Sequence, residues 1–112
     1  DDYRIATTLG MINPDHLDLK GMPLTARTVF FIDAAKKVRA TITYPASTGR
    51  NFNEILRVLD SIILTDSRKV ATGENWLPGD KAIVLPTIPT EEARKIFDNV
   101  EEVRPFLRYT QL

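Results

Sequence analysis

The strongest strand signal in this sequence begins with a permanently charged residue. Residues 27–32, "RTVFFI", open with Arg27 and continue as an apolar run that ends at Ile32. A continuous run of this length is typical of a strand that is buried on both faces of a sheet. Such a strand needs neighbours on both edges and cover on both faces, and this need restricts the possible folds more than any other feature.

The residues after this run predict the second half of a β-hairpin. The segment "DAAKK", residues 33–37, has the composition of a turn, and residues 38–43 then alternate between apolar and polar side chains. Alternation with a period of two predicts a strand that is buried on one face. Pro45 is expected to end this strand.

The clearest helix signal follows at residues 52–63. Asn51 is the expected N-cap, and Glu54 stands three residues later, where a capping box places its partner. The helix has one apolar stripe at helical spacing, made of Phe52, Ile55, Leu56, Leu59, Ile62 and Ile63.

The remaining segments have weaker signals. They predict the end of a helix over residues 1–9, a proline-bounded loop over 12–23, a strand over 82–85, a short helix over 90–97 and an extended C-terminus. Thr90 is the expected cap of the short helix. We divide the chain into a core portion, residues 1–68, and a C-terminal arm, residues 69–112.

This set of elements is unbalanced, because one hairpin and one helix cannot cover a strand on all sides. Two interpretations remain open. In one, the chain is a small α+β domain and the arm supplies the cover. In the other, the missing strands lie upstream of Asp1, which fits a chain that begins with Asp and not with Met.

Composition excludes several classes of protein. Fifteen basic residues balance fifteen acidic ones, which argues against a nucleic-acid partner and against a polybasic membrane anchor. The sequence contains no cysteine, and no apolar run approaches the length of a membrane span. No leader pattern is visible, and we expect no cofactor, no metal and a cytoplasmic location.

Few residues could perform catalysis on their own. His16 lies between two aspartates in the predicted loop and is interpreted as a solvated loop histidine. The serines at 47, 61 and 67 lie in no nucleophile elbow, and "STGRN" lacks the Gly-Lys pair of a phosphate loop. Trp76 is interpreted as a packing anchor.

Two arginines are the candidate site residues. Arg27 could be a strand-end residue that extends to solvent, or it could face an anion. Arg50 precedes the N-terminus of the predicted helix, where a cation is disfavoured, so it either turns away or meets a negative group. Together they suggest an electropositive pocket suited to an oxyanion, a carboxylate or a thiolate.

Four stretches of the sequence resemble the C-terminal portion of one-cysteine peroxiredoxins. They are "MPLTARTVFFID", "ITYPASTGRNFNEILRVLDSIILT", "KVATGENWLPGDKAIVLPTIP" and "FLRYT", which follow one another in the family's order. The resemblance runs over nearly the whole chain, and the second and third stretches are its specific part.

The resemblance implies a thioredoxin-like fold with an added arm domain, and a thiol peroxidase activity toward hydrogen peroxide and organic hydroperoxides. The nucleophilic cysteine would lie in the N-terminal half, and a thiol reductant would regenerate it. Arg27 would lie beside that cysteine, and Arg50 would be a second basic residue of the same pocket. The strand at 38–43 would pair with its twofold mate in a homodimer, which the arm would also contact.

The sequence departs from the family in two respects. It has no cysteine, so this chain alone is predicted to be inactive as a peroxidase. Some family members are credited with phospholipase activity, but Ala35 stands where their aspartate is expected and Asp33 lies two residues early. We therefore assign no lipase activity. Two alternatives to the peroxidase reading are a non-catalytic dimerisation module and a small-anion-binding domain.

Overall fold

The computed structural model of the chain describes residues 5, 8–9, 12–17, 23–25 and 27–112, and for residues 12–17 and 23–25 it describes the backbone only. The chain divides into two compact units, Asp1–Ile55 and Leu56–Leu112. Both helices and strands are present, so the predicted mixed α/β class is confirmed. Among the described residues, no helix has the length and apolar character needed to cross a membrane.

The first unit contains two antiparallel hairpins. Strand β1 (Ile12–Leu17) pairs with β2 (Pro23–Thr25), and β3 (Arg27–Ile32) pairs with β4 (Val38–Tyr44). The loop predicted over residues 12–23 is therefore wrong for residues 12–17 and 23, and its remainder, residues 18–22, lies outside the described residues. Its prolines misled the prediction, because both strands of a two-stranded hairpin are edges, where proline is tolerated. Of the helix predicted over residues 1–9, only residues 5, 8 and 9 are described, and the Leu9 N–H donates to the Ile5 carbonyl at 3.0 Å.

The turn between β3 and β4 is the one that the sequence predicts. The Asp33 N–H donates to the Lys37 carbonyl at 3.0 Å, and the Asp33 Oδ1 accepts from the Lys37 N–H at 2.9 Å. Lys36 adopts a left-handed conformation with φ of 64°. A short side-chain acceptor at the first turn position explains why this turn forms without a glycine.

Burial of this hairpin differs from the prediction for β3. Phe31 is buried, but Ile32 is 58% exposed, so the strand is not covered on both faces within this chain. Phe31 pairs with Ala40 and Ile32 with Val38, which leaves Arg39 as an extra residue in β4. One extra residue reverses the alternation beyond it, which is why Val38 is exposed although the simple alternation predicts it to lie inward.

The long helix α1 (Phe52–Ser67) begins where its capping signal predicts. The Asn51 Oδ1 accepts a hydrogen bond from the Glu54 N–H at 3.2 Å, which confirms Asn51 as the N-cap. The helix extends four residues beyond the apolar pattern. The stripe itself is largely uncovered in this chain, with four members 40% or more exposed: Phe52, Leu56, Leu59 and Ile63.

The second unit is built on a four-stranded antiparallel sheet in the order β5, β6, β8, β7. Its elements are β5 (Val70–Ala71), β6 (Ala82–Val84), the helix α2 (Thr90–Ile96), β7 (Glu101–Arg104) and β8 (Leu107–Thr110). The predicted strand, short helix and extended C-terminus are therefore confirmed. The helix packs on the sheet through a core of six buried residues: Val70, Ala82, Val84, Ile88, Ala93 and Phe97.

The roles predicted for two side chains of this unit have opposite outcomes: that of Trp76 is confirmed and that of Thr90 is wrong. Trp76 is 5% exposed and donates its Nε1–H to the Asp80 carbonyl at 3.2 Å, so its role as a packing anchor is confirmed. Thr90 is not the cap of α2. Pro89 takes the N-cap position without a side-chain bond, and the Thr90 Oγ1 accepts a hydrogen bond from Arg108.

Candidate active site

Arg27 occupies the first position of β3 and is half-buried. It lies directly opposite Tyr44, the last residue of β4, in the antiparallel register. Side chains at opposite positions have Cβ atoms about 4.5–5.5 Å apart. Arg27 and Tyr44 are therefore neighbours at the open end of the hairpin, remote from its turn.

Tyr44 also connects to the segment that carries Arg50. A turn closed by the Thr48 N–H and the Pro45 carbonyl at 2.9 Å reverses the chain after β4. The Asn51 N–H then donates to the Tyr44 hydroxyl at 3.5 Å. Arg50, the residue before Asn51, is exposed. The structure thus brings both arginine-bearing segments to the same residue, Tyr44.

The surroundings of this residue are polar. At the next register position the hydroxyls of Thr28 and Thr43 lie 3.3 Å apart, but on the opposite face of the hairpin, since successive side chains of a strand alternate. The N-terminus of α1, with its partial positive charge, begins at Phe52, directly after the Asn51 cap. Arg27, Tyr44 and the N-terminus of α1 are groups that favour a negatively charged partner, so the arrangement is compatible with the predicted electropositive pocket.

Tyr44 is the residue that the sequence reasoning missed. Its signal was present, because a hydroxyl-bearing aromatic residue closes the alternating strand immediately before Pro45. A strand-end tyrosine is more often a packing residue, so only the hydrogen bond across the following turn distinguishes it.

Asp33, near the position of the family's lipase aspartate, has a local structural role. Its Oδ1 accepts the turn hydrogen bond from Lys37, and its Oδ2 lies 3.5 Å from the Arg39 Nη1. Ala35 is exposed in the turn and has no acid function.

Two other kinds of site bear on the assignment, a metal site and a cavity. Among the described residues, no group of three potential ligands is placed to hold a metal ion. The side chain of His16 lies outside the described residues. A cavity of about 350 Å³ in the second unit contains neither arginine. Its walls come from the second half of α1, the turn that carries Trp76 and the C-terminal residue Leu112.

Comparison with known proteins defines the class to which this chain belongs. The family model described as the C-terminal domain of 1-Cys peroxiredoxin matches residues 62–99. Peroxiredoxin-6 of Gallus gallus is 50% identical over 115 residues, which cover 97% of this chain and 51% of that protein. The 1-Cys peroxiredoxin of Onchocerca volvulus is 54% identical over 97 residues, which cover 87% of this chain and 42% of that protein.

Solved structures agree with the sequence comparison. A cysteine-to-serine mutant of the peroxiredoxin 6 of Arenicola marina superimposes with a TM-score of 0.88 at 48% identity, over 97% of this chain and 52% of the other. A yeast mitochondrial 1-Cys peroxiredoxin, described with glutathione and thioredoxin systems, gives a TM-score of 0.82 at 36% identity, over 98% of this chain and 53% of the other.

The fold and the sequence match are those of a peroxiredoxin. More narrowly, the chain belongs to the one-cysteine peroxiredoxins and corresponds to their C-terminal portion, as the resemblance in the sequence predicts. It spans about half the length of the relatives it matches.

Proposed function

We propose that the whole protein of which this chain is a part is a thiol peroxidase, and that this chain supplies the cationic half of its active site. The observation that carries the proposal is the match to peroxiredoxin-6 over 97% of the chain, with Arg27 and Arg50 present in the matching motifs. The nucleophile comes from the other half, since this sequence contains no cysteine.

The reaction is a displacement at oxygen. The cysteine thiolate attacks one oxygen of the hydroperoxide, an S–O bond forms and the O–O bond breaks. The thiol is oxidised to a sulfenic acid, and the peroxide is reduced to an alcohol or water after its leaving oxygen takes a proton. Two thiols of the reductant then return the sulfenic acid to the thiol: the first forms a mixed disulfide and releases water, and the second displaces the cysteine thiol, so that the reductant is oxidised to a disulfide.

Arg27 serves this reaction in two ways. A guanidinium beside the cysteine favours the thiolate and so lowers the pKa of the thiol. The same cation orients the peroxide and stabilises charge that moves onto its oxygens in the transition state. Arg50, which is exposed and one residue removed from the contact with Tyr44, has the smaller effect of the two.

The exposed stripe of α1 supports a second half that packs on this chain. Phe52 is 69% exposed and Ile63 is 58% exposed, although both belong to one continuous apolar face. A soluble protein rarely leaves a face of this kind in water. We place the rest of the peroxiredoxin core, with its thioredoxin-like sheet, over this stripe.

The test is stopped-flow reduction of hydrogen peroxide by the whole protein. Arg27→Ala should slow the reaction by about two to three orders of magnitude. It should also move the pH profile to higher pH, because the thiol then loses its neighbouring cation and its pKa rises. Arg27→Lys keeps the charge without the planar fork and should retain an intermediate rate. An unchanged rate in Arg27→Ala would refute the proposal.

A homodimer is the second part of the proposal. Among the described strands, β4 pairs only with β3, which leaves its other edge for a twofold copy of the same strand. We assign residues 1–68 to the core and residues 69–112 to an arm that contacts the partner subunit. If the whole protein has no peroxidase activity, the dimerisation role of this edge is the alternative function. A cytoplasmic location and a thiol reductant remain predictions.

A further inference from the structure

Arg108 is a buried cation, and no described residue of the chain forms an ion pair with it. It lies in β8 and is 2% exposed. Its Nη2 donates to the Leu85 carbonyl at 3.0 Å and its Nη1 to the Thr90 Oγ1 at 3.0 Å, while its Nε has no hydrogen-bond partner. None of the ion pairs between described residues includes Arg108.

This arrangement is unfavourable for a guanidinium group. A buried charge loses its hydration, and neutral acceptors replace only part of that loss, so buried arginines are normally paired with carboxylates or phosphates. Both acceptors of Arg108 are neutral, and one of its donors has none. A negative charge introduced at this point would therefore stabilise the unit.

Thr90 is the side chain placed to introduce that charge. Its hydroxyl oxygen is already in contact with the guanidinium, and the residue is partly exposed. It follows a loop in which Pro86, Thr87 and Pro89 are exposed. A phosphate on Oγ1 would therefore have one side directed at Arg108 and another in contact with water.

We propose that Thr90 is a phosphorylation site and that Arg108 binds its phosphate. A protein kinase would transfer the γ-phosphoryl group of ATP to Oγ1. The new Oγ1–P bond forms as the bond to the β-phosphate oxygen breaks, the hydroxyl proton passes to the kinase's base and ADP leaves. The phosphate then gains charge-assisted hydrogen bonds from the guanidinium.

The modification would hold three parts of the second unit together. Arg108 already joins the end of β6 to α2 through the carbonyl of Leu85 and the hydroxyl of Thr90. Replacing a neutral acceptor by a phosphate strengthens one of these links. Phosphorylation would thus rigidify the arm without any change in its fold.

Thr87 provides a matched control, since it lies in the same loop and is exposed, whereas the guanidinium of Arg108 donates to Thr90 and to the Leu85 carbonyl. Phosphothreonine is introduced by genetic code expansion at position 90 or at position 87 of the full chain. The second phosphate pKa, about 6 in a solvated phosphothreonine, is read by ³¹P NMR titration. We expect the value at position 90 to be lower than at position 87 by about one unit or more.

Hydrogen exchange of residues 85–97 supplies a second measurement. These amides should exchange about tenfold more slowly in the phosphothreonine-90 protein than in the phosphothreonine-87 protein. Arg108→Lys preserves the charge in case full removal prevents folding, and it should reduce both effects. Equal pKa values and equal exchange at the two positions would overturn the role of Arg108.

Occupancy is tested on the protein purified from its source in the presence of phosphatase inhibitors. Peptide mapping by mass spectrometry should find phosphate on Thr90. Finding Thr90 unmodified would overturn the assignment of the modification site. None of the three measurements depends on peroxidase activity, so this inference can fail or hold independently of the proposed function.

Discussion

Tyr44 accepts a hydrogen bond from the backbone N–H of Asn51 at 3.5 Å, across the turn that follows β4. Because Tyr44 also lies opposite Arg27 in the hairpin, it contacts the segments of both candidate arginines. The proposed pocket would therefore depend on the local geometry of the chain between β4 and α1.

Removal of this hydroxyl should loosen the segment that carries Arg50. Tyr44→Phe retains the ring and removes the acceptor, so we expect a loss of about 0.5 kcal/mol in stability, small because the bond is long and accessible to water. The peroxidase rate of the whole protein should fall several-fold. A denaturation curve measures the loss of stability, and stopped-flow kinetics measure the loss of rate. A rate equal to that of the unmodified protein would show that Tyr44 does not position the pocket.

The N-cap of α1 should have a measurable effect on stability. Asn51→Ala removes the acceptor of the Glu54 N–H and should cost about 1 kcal/mol in the free energy of unfolding. Asn51→Asp keeps an oxygen at the same place and serves as the control. Urea denaturation followed by circular dichroism gives both values. If the alanine and aspartate variants have the same free energy of unfolding, the capping hydrogen bond does not contribute to stability.

The dimer predicted through β4 can be tested at its centre. Thr41 is the middle residue of Val38–Tyr44, so a symmetric antiparallel pairing of two β4 strands brings it opposite its own copy. Thr41→Lys would place two like charges face to face and should shift the protein toward monomer. Thr41→Val is the neutral control. Sedimentation velocity that shows the same dimer for both variants would exclude this edge as the interface.

Two phenylalanines of the second unit differ in burial and should differ in their effect on stability. Phe97 is 4% exposed in the core and lies under the guanidinium of Arg68, whereas Phe106 is 72% exposed. Phe97→Ala should cost about 3–5 kcal/mol through the cavity it leaves. Phe106→Ala should stay within about 0.5 kcal/mol of the unmodified protein. Thermal unfolding compares them, and equal losses would contradict the described core.

Much of the local structure could be predicted because its causes are local. The hairpin turn at 33–37 follows from the acceptor on Asp33, and the start of α1 follows from Asn51. The hairpin of β1 and β2 was missed, because proline content predicts a loop wherever the partner strand is unknown. Val38 was expected to face inward, and this prediction is wrong. A single extra residue in the pairing moves every residue beyond it to the opposite face of the strand.

The sequence by itself determined the family, the helices, most of the strands and the identity of Arg27 and Arg50 as candidate residues. Only the tertiary structure decided that Tyr44 contacts the segments of both arginines and that Thr90 accepts a hydrogen bond from Arg108 and does not cap its own helix. It also decided that the apolar stripe of α1 is largely exposed in this chain. The physical reason is range. Caps, turns and periodicity depend on residues a few positions apart, whereas these contacts join residues that only the folded chain brings together.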